Sequence, residues 1–193
     1  LPLAACQATI KTDATSYDRR PEVIAFIDEM AADHGFDRNE LTGLLAGATA
    51  QVRALELISA PAERKPWHDY RPIFVNERRI EGGAAFWREQ REWLERARTT
   101  FGVDPEYIVA IIGVETSYGR NQGRFPVFDT LVTLGFDYPP RADFFRSELG
   151  HFLLLAREEG LEIGEMQGSY AGAMGKGQFI SSSYRHYAVD FDG

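Results

Sequence analysis

Apolar residues along this chain recur at intervals of three and four far more often than at intervals of two, a pattern that predicts helices in series. Val23, Ile24, Phe26, Ile27 and Met30 mark a helix from Pro21 to His34, which Gly35 stops. Asp37-Arg38-Asn39-Glu40 resembles a capping box and opens a second helix carrying Leu41, Leu44 and Leu45. A third helix, Ala50 to Ser59, is broken off by Pro61 and Pro66. Trp67-His68-Asp69-Tyr70-Arg71-Pro72 reads as irregular and is rich in groove-lining residue types. Gly82-Gly83 precedes a long helix to about Thr100, with Trp87, Leu94 and Phe101 on one stripe. Further on, Val127 to Leu134 and Arg141 to Glu159 read as helices, the second turning Phe145, Leu149, Phe152, Leu153 and Ala156 inward. Strand-like alternation is almost absent, so the fold class is mostly α.

One helix carries more than packing. Asp104 suits an N-cap, Pro105 the first helical position, and Gly119 a left-handed stop. Ile108, Ile111, Ile112 and Glu115 follow the spacing of a single face, which reads as a core face ending in a carboxylic acid. A carboxyl buried beside isoleucines has its charged form disfavoured and can serve as a proton donor near neutral pH. The alternative is a buried Glu satisfied by an arginine or by backbone amides.

Composition narrows the partners. The 193 residues are 44% apolar and 26% charged, with a net charge of −8 and basic residues scattered among acids, so nucleic acid is not expected as a partner. Apolar runs are too short to span a bilayer. A single cysteine excludes an internal disulfide and a cysteine-based zinc site within one chain. Its place matters: Leu3-Ala4-Ala5-Cys6 matches the pattern before the modified cysteine of bacterial lipoproteins, against the alternative of a stray thiol in a tail. Residues 7–20 are polar and aperiodic, as a tether would be. The Gly102-Val103 join and the Asp69–Val75 region are the plausible seams. They suggest a lipoprotein-type terminus and tether over 1–20, a helical domain over 21–102 and a catalytic unit over 103–193.

A second unusual stretch is Gly168-Ser169-Tyr170-Ala171-Gly172-Ala173-Met174-Gly175-Lys176-Gly177-Gln178-Phe179. Its small residues let a ligand approach the backbone. Gln178 offers a donor and an acceptor, and Tyr170 and Phe179 offer flat faces for sugar rings. A phosphate loop is rejected, because Gly175-Lys176-Gly177 lacks the upstream glycine and the following Ser or Thr. A purely structural turn between helices is the other alternative.

Together, Gly113-Val114-Glu115-Thr116-Ser117-Tyr118-Gly119, Leu134-Gly135-Phe136-Asp137-Tyr138-Pro139, Gly168 to Phe179, and Tyr187 to Gly193 resemble the B-type membrane-bound lytic murein transglycosylases. These are bacterial enzymes that cleave peptidoglycan with a lysozyme-like core. The resemblance implies a lysozyme-like core from about Asp104, with Glu115 as the sole catalytic acid/base and no cofactor for catalysis. It implies glycan contacts from Ser169 and Gln178, a groove position for Arg141, and a groove aromatic at Tyr70. It also implies a lipid anchor on Cys6, a periplasmic location at the outer membrane, and possible cell-wall synthesis or remodelling proteins as partners. Asp190-Phe191-Asp192-Gly193 resembles the opening of the family's EF-hand-like loop, so Asp190 and Asp192 are candidate ligands of a structural Ca²⁺, with the rest of the loop and groove expected after Gly193. Two departures stand out: Pro140 where relatives often carry a second arginine, and Ile180-Ser181 in place of Met-Pro. One motif carboxylate, where hydrolytic glycosidases usually place two, favours non-hydrolytic cleavage. Asp129, Asp137 and Glu148 read as caps or surface charges. A muramidase and a non-catalytic murein-binding lipoprotein are the alternatives.

Overall fold

The structure is a computed structural model and describes residues 16–60 and 65–190. At its centre lies α8, Val127–Asp137, in which every residue from 127 to 135 except Asp129 is buried. A helix apolar on all sides must be covered on all sides. Helix α9, Ala142–Glu159, packs along it, with Phe145, Leu149, Phe152, Leu153 and Ala156 all buried as the periodicity predicts. From the start of the chain, α1 (Pro21–His34), α2 (Arg38–Ala46) and α3 (Val52–Ser59) close the remaining sides through Val23, Phe26, Ile27, Met30, Leu41, Leu45 and Leu55. Each such side chain removed from water contributes about 1.5–3 kcal/mol. Asp37 caps α2, accepting a 2.8 Å bond from the Glu40 amide. Ile24 alone among the expected α1 residues is partly out of the core.

A buried polar cluster fastens the start of the described chain to the end of α8. Tyr17 Oη donates to Asp137 at 2.5 Å, and the Arg20 guanidinium pairs with the other carboxylate oxygen at 2.5 Å. Burial first, and the Asp137 bond second, hold the Tyr17 hydroxyl well above the ordinary phenol range. Asp137 is therefore no surface charge. Neither is Glu148, which is buried on α9 and accepts from the amide and hydroxyl of Ser182 in α10, Ser181–Tyr187. Asp129 is the cap expected of it, holding the Thr49 amide at 3.1 Å, and burial pushes its carboxyl up.

A second, smaller core joins α5 (Glu77–Glu89), α6 (Arg91–Phe101) and α7 (Pro105–Thr116) around Phe86, Leu94 and Val109. Elements from both sides of residue 102 thus share each core. Three expectations are corrected here. Gly82 and Gly83 lie inside α5, buried, and do not precede it. The long helix is two helices, broken at Gln90, and the break leaves Trp87 and Phe101 exposed while Leu94 alone packs inward. Residues Trp67–Phe74 form a helix, α4, despite Pro72. Two turns lose little to one proline, and Asn76 Nδ2 donates to the carbonyls of Pro72 and Ile73 at the frayed end.

The only strands among the described residues are β1, Phe125–Pro126, and β2, Gln167–Gly168, paired antiparallel with Phe125 opposite Gly168. Bridges from Gly168 to Met174 and from Met174 to Phe179 extend this pairing into the glycine-rich stretch.

Candidate functional site

Helix α7 buries Pro105, Val109, Gly113 and Thr116, with Ile108 and Ile112 packed beside them. Ile111, Val114 and Glu115 are exposed. The expected face with a buried Glu115 is therefore wrong. Apolar residues occupy nearly the whole circumference of this helix, and α5 and α6 cover only one side of it. Glu115 stands on the open side, one residue before the helix ends.

The end of α7 is built around Tyr118. Its ring lies in a channel floored by glycine: a Cβ at Gly82 would stand 3.0 Å from the ring, at Gly83 2.8 Å from the hydroxyl, and at Gly113 2.7 Å from it. Tyr118 Oη donates to Arg79 O at 2.8 Å, and the Arg79 guanidinium donates to Gly113 O. To place the ring there the chain leaves the helix in three consecutive left-handed residues, with φ of 52° at Ser117, 63° at Tyr118 and 82° at Gly119. Two of the three are not glycine, so the turn is strained and held by its surroundings. Ser117 and Tyr118 amides return to the carbonyls of Gly113 and Ile112 at 3.1 and 3.2 Å. The helix stop thus comes two residues before the expected Gly119.

This turn holds the glycine-rich loop directly. Thr116 Oγ1 lies 2.9 Å from Lys176 O and accepts the Gly119 amide at 2.9 Å. Gln178 Nε2 donates to Gln122 O at 3.2 Å and to Gly175 O at 3.0 Å. Gly123, at φ 94°, packs so closely that a Cβ would lie 1.9 Å from Gly168 O. Three segments distant in sequence, the start of α5, the α7 turn and the glycine-rich loop, are thus tied together where α7 ends. Over residues 113–126 and 166–182, Glu115 is the sole acidic residue.

The loop residues have definite chemistry left to offer. Ser169 Oγ accepts the amides of Ala171 and Ala173 at 3.3 and 3.1 Å, which spends its lone pairs and leaves its proton to donate. Gln178 spends its amide donors on Gln122 O and Gly175 O and keeps Oε1 as an acceptor. The expectation of a Gln178 that both donates and accepts is reduced to acceptance. Tyr170 and Phe179 are 41% and 38% exposed and present their rings to solvent beside these groups.

Other candidates stand further off. Tyr70 lies on α4 in an aromatic row, 6.2 Å from Trp67 and 5.0 Å from Phe74 between ring centres. The row reaches the α7 turn through Arg79, whose guanidinium lies 5.5 Å from the Phe74 ring. Arg141 belongs to the start of α9, its guanidinium 4.2 Å above the Phe144 ring. Asp190 is an exposed residue beyond α10, while Cys6 and Asp192 fall outside the described residues. Among the described residues no three His, Cys, Asp or Glu side chains gather as a metal site would require. Asp190 alone falls far short of the six to eight oxygens that Ca²⁺ takes. Sequence reasoning missed Thr116, Tyr118, Arg79 and Gln122. The signal for the first three was present in Gly82, Gly83 and Gly113, since glycine inside a helix marks close approach.

With this geometry in hand, comparison with known proteins is direct. The family described as Transglycosylase SLT domain matches residues 18–193. The membrane-bound lytic murein transglycosylase B of Escherichia coli (strain K12) is 43% identical over 187 residues, covering 92% of this chain and 52% of that protein. The lytic transglycosylase SltB1 from Pseudomonas aeruginosa, solved as a catenated form, superposes with a TM-score of 0.90 at 54% identity, covering 92% of this chain and 59% of that one. Escherichia coli lytic transglycosylase Slt35, solved in complex with calcium, gives a TM-score of 0.85 at 44% identity, covering 91% and 56%. The chain thus spans between half and three-fifths of the length of these relatives. The mostly helical, lysozyme-like architecture expected from the sequence is the one these structures share. By the extent of that match, the chain belongs to the Transglycosylase SLT domain family.

Proposed function

We propose that this chain carries the catalytic acid of a lytic transglycosylase that cleaves the β-1,4 bond between N-acetylmuramic acid and N-acetylglucosamine in peptidoglycan. The observation that carries the reading is the lone carboxylate: Glu115 is exposed at the strained end of α7 and is the only acid over residues 113–126 and 166–182, the α7 turn and the glycine-rich loop that meet there. Retaining hydrolysis needs a second carboxylate about 5–5.5 Å away, and inversion one about 6.5–9.5 Å away. The three acids weighed for that role are engaged elsewhere, Asp129 with Thr49, Asp137 with Arg20 and Tyr17, and Glu148 with Ser182.

One carboxyl group suffices when the substrate supplies its own nucleophile. Glu115 gives its proton to the glycosidic oxygen as the bond from C1 of the muramoyl residue breaks. The carbonyl oxygen of the muramoyl acetamido group supports the cation developing at C1. Glu115, now a carboxylate, takes the proton of the C6 hydroxyl while that oxygen closes on C1. The acid is regenerated and a 1,6-anhydro sugar results, with no water consumed. Ser169 donates to, and Gln178 Oε1 accepts from, the polar groups of the bound glycan, while Tyr170, Phe179 and Tyr70 lie against sugar faces. Arg141 lies along the groove towards glycan or peptide.

The names of the relatives support a murein substrate and a membrane-associated, periplasmic setting. No helix among the described residues is long and apolar enough to cross a membrane. The Leu3-Ala4-Ala5-Cys6 pattern supports attachment by a lipid on Cys6 at the outer membrane. The calcium complex of one relative supports a structural Ca²⁺ at a loop opening with Asp190 and Asp192.

Digestion of purified sacculi followed by mass spectrometry tests the reaction. The expected fragments end in 1,6-anhydromuramic acid, and Glu115→Gln abolishes their release while circular dichroism is unchanged. Fragments one water heavier would establish the muramidase. Glycan binding with no fragment released by either protein would establish a binding protein.

A further inference from the structure

Beside the α7 turn lies a recess of about 270 Å³ that the mechanism above does not use. Its walls are Ile73, Asn76, Arg78, Arg79, Ser117, Tyr118 and Arg120, so three arginines and no acidic residue line one small space. This is unusual in a chain of net charge −8. Arg79 is committed to Gly113 O, and among the described residues Arg78 and Arg120 have no ion pair or hydrogen bond. The N-terminus of the thirteen-residue helix α5, capped by Asn76 and carrying Glu77 in its first turn, opens here as well. Ser117, one of the strained left-handed residues, lines the same recess two positions after Glu115.

We infer that this recess, lined by Arg78, Arg120 and Ser117, binds a carboxylate carried by the peptide substituent of the glycan strand. The inference rests on the glycan reading of the Glu115 groove and assigns the peptide carboxylate to residues apart from Arg141. Planar guanidinium groups match a carboxylate in paired hydrogen bonds, and neither arginine must break an existing pair to do so. The strain at Ser117 and Tyr118 fixes the recess relative to Glu115, so a substituent held here sets which glycosidic bond meets the acid. Charge attraction at this exposure is worth roughly tenfold in affinity for two contacts and is screened by salt over about 8 Å at physiological ionic strength.

The test is calorimetric titration of the Glu115→Gln chain, which holds its ligand uncleaved, with three probes. These are a muramyl tetrapeptide disaccharide with free carboxylates, the same molecule with its carboxylates converted to amides, and a neutral chito-oligosaccharide. The expected result is a roughly tenfold preference for the acid over the amide. Adding Arg78→Ala and Arg120→Ala should abolish that preference while leaving the chito-oligosaccharide affinity and the melting temperature unchanged. Equal affinity for acid and amide overturns the recess, and so does a preference that survives the arginine substitutions. The glycan reading would stand in both cases, because all three probes still bind. An arginine-dependent acid preference without chito-oligosaccharide binding would uphold the recess and sink the glycan reading. Absence of all binding overturns both.

Discussion

Gly113→Ala is the substitution on which local and tertiary physics disagree most sharply. Inside a helix, alanine is favoured over glycine by about 1 kcal/mol, so propensity alone predicts a more stable protein. The new Cβ, however, would stand 2.7 Å from Tyr118 Oη and 2.8 Å from both Cε1 and Cζ. A tyrosine ring could ordinarily swing away. Here Gly82 and Gly83 close the opposite wall and the hydroxyl is tied to Arg79 O, so any movement trades one clash for another. Overpacking of this kind costs about 1–3 kcal/mol, and loss of the Tyr118–Arg79 bond adds about 0.5–1.5 kcal/mol. The net is a destabilisation of about 2 kcal/mol, or roughly 4–8 °C in melting temperature for a chain of this length. Tyr118→Leu removes the three crowded atoms. In that background Gly113→Ala should reverse sign and stabilise by about 1 kcal/mol, a coupling of about 3 kcal/mol in a double-mutant cycle. Urea or thermal unfolding of the four proteins measures it. A neutral or stabilising Gly113→Ala in the wild-type background, or the same cost in both backgrounds, refutes the account of the channel.

Two further predictions concern stability away from the site. Ser181 Oγ is buried without a hydrogen-bond partner among the described residues, so Ser181→Ala should raise stability by about 1 kcal/mol; a fall in melting temperature would show that the hydroxyl is satisfied by bound water. Asp137→Asn leaves the buried Arg20 guanidinium without its carboxylate and should cost about 3 kcal/mol by urea unfolding, most of it recovered by adding Arg20→Met; failure of the second change to recover stability would place the cost in the lost Tyr17 bond.

The main core was legible because the helices packed around α8, α1 and α9 above all, have distinct inward and outward sides. In α9 the inward residues Phe145, Leu149, Phe152, Leu153 and Ala156 repeat at three and four over about three turns. The capping box at Asp37 and the glycine-rich loop were legible for the same kind of reason: short-range chemistry dictates them. The break at Gln90 was not, because Glu89, Gln90 and Arg91 are all good helix formers. Only the packing of Leu94 against Phe86 and Val109 ends one helix and starts the next. A stripe drawn through Trp87, Leu94 and Phe101 assumes a continuity that the tertiary contacts overrule.

Glu115 shows where periodicity stops being informative. Positions 105, 108, 109, 111, 112 and 114 of α7 are all apolar, so a core face can be drawn through several sets of them. The choice is made by Gly113 and Thr116, the two buried residues that hydrophobicity counts least. Gly113 faces inward because it is small enough for Tyr118, and Thr116 because its hydroxyl bridges Gly119 and Lys176. Those contacts rotate the isoleucines partly outward and bring the carboxylate to the open side. They are also the contacts that dock the glycine-rich loop against the end of α7, so the geometry that exposes Glu115 is the geometry that brings that loop to the same end of the helix. The side of α7 left open by α5 and α6 is thus the side on which the proposed glycan site lies.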